Sequence, residues 1–140
     1  MRVVVKVDKV IRTLRKAKVK AENMLPLSRR IANQLKKTVM RNFEAQGRPT
    51  RWKPLSPRYR AWKKEHGYTD KILVRTGRLR QSINTRYTND EAAVYTGVKY
   101  GVFHQTGTRR LPKRPFLVLP NEDLSIYEKI VMDWLNGVWR

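Results

Sequence analysis

Apolar and polar positions along this chain divide it into segments of different period. Val3, Val5 and Val7 alternate with Arg2, Val4 and Lys6, which predicts a short strand. Asp8 follows as the N-cap of a short basic helix carrying Ile11, Leu14 and Ala17 on one face. Beyond Pro26 the period lengthens. Ile31, Leu35, Val39 and Phe43 recur every four residues, so a longer helix is predicted, with Ser28 as its cap. Arg29, Arg30, Lys36, Lys37 and Arg41 fall on its other faces, and Gly47 and Pro49 stop it. Arg51 to Leu55 read as an extended loop, and Ser56-Pro57 then starts a helix over 58–65 that ends near Gly67. Tyr59 and Trp62 share a face of that helix; Trp52 and Trp62 are read as packing anchors.

The second half alternates faster. Thr76 is placed to cap a short helix bearing Leu79 and Ile83. Residues 84–88 and 91–97 are β-prone runs around Asn89-Asp90, which predicts a hairpin. Tyr100 to Gln105 suit one or two helical turns, and Phe116 to Leu119 a short strand ended by Pro120. A last helix, about 121–137, presents Leu124, Tyr127, Val131, Trp134 and Leu135. The sum is an α+β fold, helices packed on a small, mainly antiparallel sheet. At 140 residues with no low-complexity linker, positions 1–140 read as a single domain.

Charge changes the picture next. The chain has 32 basic and 11 acidic side chains and a formal net charge of +21. That is far more than solubility needs and implies a polyanion or an acidic protein as neighbour. Its acids concentrate late: Glu122, Asp123, Glu128 and Asp133 stand against Lys129 and Arg140 after position 120. An acidic helix of one copy lying on the basic body of the next is therefore a plausible ring contact.

Candidate chemistry is sparse. No cysteine is present, which removes disulfides and thiolate metal sites and fits an intracellular place of synthesis. No apolar run reaches membrane-spanning length, and the first residues do not resemble a signal peptide, so a soluble, unexported chain without a membrane partner is expected. His66 sits at a helix end, a capping position, and His104 is expected to hydrogen-bond loop backbone. The acids show no paired spacing and the seven glycines are dispersed, so neither acid–base catalysis nor a phosphate-cradling loop is read. No catalytic residue, cofactor or metal ligand is assigned.

Two turn-forming clusters lie close together. One is Tyr100-Gly101-Val102-Phe103-His104-Gln105-Thr106-Gly107, the other Pro112-Lys113-Arg114-Pro115-Phe116-Leu117. Such segments hold loops in fixed shapes for contact. Gly77, Gly107, Pro112 and Pro115 are read as turn residues, His104 and Gln105 as turn-fixing, and Phe103 and Phe116 as core. Arg114, between two rigid prolines, can pair bidentately with a carboxylate, either within the subunit or on a partner.

These clusters complete a resemblance. Phe43, Gln46, Gly47, Pro49, Trp52, Pro54, Leu55 and Ser56 form a first block; Ile72, Leu73, Thr76, Gly77, Leu79, Ser82 and Ile83 a second; Tyr100, His104, Gln105, Gly107, Pro112, Arg114, Pro115, Phe116 and Leu117 a third. In this order, over roughly residues 27–135, they resemble the virion morphogenesis or tail completion proteins of tailed bacteriophages and prophages. The chain departs from the pattern at Gly101, where alanine is usual, and in a shorter, more basic stretch from Gly47 to Trp52.

The resemblance implies a non-catalytic structural protein of the virion neck, made in the bacterial host cytoplasm. It implies a homo-oligomeric ring, six copies by family analogy, that completes the tail and joins it to the DNA-filled head. Head-side connector or portal-associated proteins and tail terminator or tail tube proteins are the implied partners, with incidental contact to packaged DNA. Arg51, Trp52, Arg109, Arg110, Lys113 and Arg114 are the contact candidates. A sequence-independent nucleic-acid-binding protein is the alternative that the charge alone supports. The scatter of basic residues through all segments, with no single recognition helix, favours assembly.

Overall fold

In the computed structural model, residues 2–6 and 23–137 are described. The order is β1 (Arg2–Lys6), α1 (Leu25–Glu44), α2 (Pro57–Glu65), α3 (Arg78–Gln81), β2 (Ile83–Tyr87), β3 (Glu91–Thr96), α4 (Gly101–Thr106), a 3-10 turn (Asn121–Asp123) and α5 (Leu124–Leu135). The basic helix expected after Asp8, with Ile11, Leu14 and Ala17, lies outside the described residues.

The fold is α+β. Among the described residues three strands run antiparallel in the order β1-β3-β2, with Val3 opposite Val94 and Ile83 opposite Thr96. Ala92 and Val94 on β3 are fully buried and belong to one core with Leu27, Ile31, Leu35, Val39 and Phe43 of α1. The four-residue period expected for α1 thus lays a continuous apolar stripe along the sheet. Val131 and Trp134 of α5 join the same core, and Phe43 is flanked by Trp52 at 5.6 Å edge-on and by Phe116 at 5.7 Å. The hairpin forms around Asn89-Asp90, closed by Thr88 N–H donating to Glu91 C=O at 2.8 Å.

Several expectations are corrected. Helix α1 begins before Ser28: Met24 is its N-cap, and Pro26, lacking an N–H, occupies the first turn where none is required. Ser28 is then interior and fully buried, its hydroxyl without a partner among the described residues. Met24 N–H is held instead by the Asn89 side chain of the hairpin turn, at 2.8 Å. Thr76 is not the cap of α3. Gly77 takes that place at φ 79°, a left-handed backbone that side chains resist, and Ile83 starts β2 instead of continuing the helix. Phe103 is not core but 52% exposed, because α4 turns Gly101 inward and Val102 and Phe103 outward. Leu124 likewise faces out on α5.

Residues 116–119 form no strand, and the chain bends at Leu117. Side-chain amides replace a neighbouring strand there. Asn42 Nδ2 donates to the carbonyls of Phe116 and Val118, both at 2.9 Å. Gln105 Oε1 accepts from the N–H groups of Phe116 and Leu117 at 3.0 Å, and its Nε2 donates to Leu117 C=O. Backbone that enters a core must pair with something, and two amides meet that need while leaving Phe116 fully buried. Gln46 acts similarly after α1, accepting from Ile72 N–H through Oε1 and donating to Phe43 C=O.

Candidate functional site

Loops carried on this frame enclose a groove of about 750 Å³. One wall is the turn before α2 with the inner face of that helix, including Lys53, Leu55 and Lys63; the second is 73–79; the third comprises Tyr100, His104, Arg110, Leu111, Pro112 and Arg114. Each wall draws on a different one of the three motif blocks, which are distant in sequence, and the first wall continues past its block into α2.

Each wall is fixed by identifiable chemistry. Ser56 caps α2 by accepting from Tyr59 N–H, with Pro57 in the first turn. Gly77 turns the second wall into α3. In the third, the Thr108 hydroxyl accepts from the N–H groups of Arg110 and Leu111 while Thr108 N–H donates to Leu111 C=O, so residues 108–111 form a tight tip. Gly107, at φ 77°, ends α4 beside Lys113.

The groove's electrostatics are one-sided. Lys53, Lys63, Arg75, Arg78, Arg110 and Arg114 line it, and among the described residues no Asp or Glu does. Two of these cations are buried. Lys63 is 2% exposed and donates to the carbonyls of Lys71 at 2.8 Å and Val74 at 3.4 Å. Burial holds its pKa below the ordinary lysine value. Arg114 is 7% exposed; its Nε donates to Lys53 C=O and Nη2 to Pro54 C=O, at 2.9 and 3.0 Å, and burial lowers its pKa as well. Its partners are therefore carbonyls, not a carboxylate.

His104 corrects another expectation. Its Nδ1 is buried without a hydrogen-bond partner among the described residues, and only its main-chain carbonyl serves the loop, accepting from Arg114 N–H at 2.7 Å. Desolvation, and secondarily the Arg114 charge, push its pKa below the usual imidazole value. Gln105 supplies the loop-fixing side chain instead. His66 caps α2, its Nδ1 2.8 Å from Trp62 C=O.

Beside the groove, Trp62 stacks with Tyr59 at 5.8 Å, His66 at 4.2 Å and Tyr68 at 5.7 Å. The Arg75 guanidinium lies 4.9 Å over Trp62 and 5.2 Å over Tyr68. Trp62 is half-buried in this stack, whereas Trp52 is buried and donates its indole N–H to Pro115 C=O at 2.9 Å.

Of the residues singled out in the sequence, Gly77, His104, Arg110, Pro112 and Arg114 meet at the groove. Pro115 is not in its lining, Trp52 and Phe116 are in the core, and Arg51, Arg109 and Lys113 are exposed outside its lining. Sequence reasoning missed Lys53, Lys63, Arg75 and Arg78. Arg75 and Arg78 flank Thr76-Gly77, so position within the second block was the available signal. Lys63 carries none, since it lies in a helix of mostly polar residues.

A second charged cluster sits at the other side of the core. Arg48 donates through Nη1 and Nη2 to both carboxylate oxygens of Asp123 at 2.8 Å, through Nε to Asn42 Oδ1 at 2.9 Å, and through Nη2 to Thr38 C=O at 3.0 Å. Glu122 adds a contact at 2.9 Å and Arg41 approaches Asp123 at 3.3 Å. The Arg48 bond holds the Asp123 carboxyl below the usual carboxylate range. Glu122 and Asp123, two of the acids that the charge pattern offers to a neighbouring copy, are engaged within the chain. Among the described residues, no three His, Asp or Glu side chains converge as a metal site, and no helix is long and apolar enough to cross a membrane.

The sequence model of the phage virion morphogenesis family matches residues 5–136. The chain belongs to that family. It is 37% identical over 113 residues to Mu-like prophage FluMu G protein 2 of Haemophilus influenzae, covering 75% of this chain and 74% of that protein. With Mu-like prophage FluMu G protein 1 of the same organism it shares 33% identity over 109 residues, 75% of each chain. No solved structure matches. Membership makes this a virion-associated phage protein with a role in building the particle.

Proposed function

We propose that the chain is a structural component of the phage neck, forming a ring of six copies that completes the tail and joins it to the DNA-filled head. It acts by binding, without catalysis. The observation that carries this reading is the convergence of three motif blocks on one groove, within a chain matched by a virion morphogenesis family over 5–136. A rigid α+β frame presenting shaped loops suits assembly between protein surfaces. Ring contacts are supported by exposed apolar side chains on two separate elements, Val102 and Phe103 on α4 and Leu124 and Met132 on α5, as a head-to-tail contact requires. Connector proteins on the head side and terminator or tube proteins on the tail side are the proposed partners.

Electron microscopy of particles produced with the gene disabled, beside a complemented control, tests the role. Separate filled heads and tails that complementation reunites are expected; intact infectious virions would refute it. The net charge favours a second reading, sequence-independent nucleic-acid binding. Under that reading the free protomer binds duplex DNA with an affinity that falls steeply with salt as counterions are released.

A further inference from the structure

We propose that the groove is the receptor for an extended acidic segment of a different virion protein, one whose carboxylates alternate with apolar side chains. This deepens the neck reading and rests on it. Six cations line the space and, among the described residues, no carboxylate does; Asp70 acts on Lys63 from outside the lining, and the charge of the exposed cations favours an anionic occupant. Lys63 and Arg114 are already desolvated and held by carbonyls, while Lys53, Arg75, Arg78 and Arg110 are exposed. The same walls are apolar at Leu55, Leu73, Val74, Leu79 and Leu111, which a phosphate chain has no use for and alternate apolar side chains of a peptide do.

The occupant's shape follows from the mixed lining. An extended strand sends successive side chains to opposite sides, acids to the exposed cations and apolar groups to the leucines of the walls.

A second copy of this chain is a poor occupant. Asp123 and Glu122 are bound by Arg48, Asp133 is bound by Lys129, and no five consecutive residues of the sequence contain more than two acids. At +21 per copy, approach of another groove-sized cationic surface is repulsive.

Fluorescence anisotropy on the intact chain tests this with three labelled probes: a ten-residue peptide alternating Glu and Leu, one alternating Glu and Ser, and a ten-nucleotide single-stranded DNA. The Glu-Leu peptide is expected to bind at least about tenfold tighter than the Glu-Ser peptide of equal charge. Arg78→Ser with Arg110→Ser, both exposed in the groove, should weaken it about tenfold, as loss of two partly screened charge contacts predicts. Lys36→Ser with Lys37→Ser, exposed on α1, removes the same charge and should change affinity less than about threefold.

Equal losses in the two double variants, or equal binding of the two peptides, would reduce the groove to a site of general charge attraction. DNA binding tighter than the Glu-Leu peptide with the same groove dependence would assign it to nucleic acid. Dissociation of a preformed oligomer by the peptide would assign it to a second copy. Each outcome overturns the proposal. None depends on particle assembly: if virions stay joined without the gene while the peptide still binds as expected, the joining role fails and the groove assignment stands.

Discussion

Two arginines, Arg48 and Arg114, are about equally hidden, and their surroundings differ in one respect. Arg48 meets both oxygens of Asp123 and is neutralised within the chain. Arg114 meets only the carbonyls of Lys53 and Pro54, beside five other cations. A paired charge in a core commits the fold, since removing either partner strands the other. A cation held by carbonyls keeps its charge available. The first cluster closes the molecule on itself, tying α1 to the turn before α5, and the second leaves it open to a neighbour.

The largest break in that comparison is Asp123→Ala, which leaves the buried Arg48 guanidinium, among the described residues, with only the exposed Glu122 carboxylate to pair with. A loss of about 3–5 kcal/mol is expected in urea unfolding. Arg48→Met with Asp123→Leu should recover most of it, because removing both charges also removes the desolvation cost; no recovery would mean the cluster acts through its other bonds.

Gln105→Ala comes next. It strips two N–H groups and a carbonyl of the 116–117 segment, at a cost of about 1–3 kcal/mol. An unchanged unfolding midpoint would show that the segment is held by packing alone.

Arg114→Ala sharpens the contrast directly. Two hydrogen bonds to carbonyls are lost, about 1–2 kcal/mol, and the protomer should stay folded while particles carrying it join heads to tails poorly. An unfolded variant would make Arg114 a fold residue like Arg48. Gly77→Val should cost about 1–2 kcal/mol from the left-handed backbone alone, because its Cβ site meets only the flexible Gln81 side chain at 3.5 Å. Unchanged thermal stability would defeat that argument.

The smallest effect is on pH. With its folded pKa depressed, His104 favours the native state fully above the unfolded value of about 6.5, and that contribution is lost as pH falls from there through the folded pKa. Wild-type melting temperature should therefore drop between pH 7 and 5, and His104→Gln should flatten the drop. Asp123, also depressed, holds its contribution until pH falls below about 3.9, so the two are separable in a melting series.

What the chain determined locally was legible where period and punctuation agree. The stripe of Ile31, Leu35, Val39 and Phe43, the Ser56-Pro57 start, the hairpin at Asn89-Asp90 and the Tyr127, Val131 and Trp134 side of α5 all follow from side-chain geometry within a few residues. The ordered motif blocks were legible too, and with them the family. Tertiary structure decided the rest. Whether residues 116–119 join a sheet depends on Asn42 and Gln105 reaching them, and whether Glu122 and Asp123 face a neighbour depends on Arg48, 74 and 75 positions away. The groove is of the same kind: Lys63, Arg75, Arg78 and Arg114 gain a shared role only when three loops converge. Hydrophobic patterning specifies each element and its buried face, while a polar side chain has many possible partners, and the packed fold selects among them.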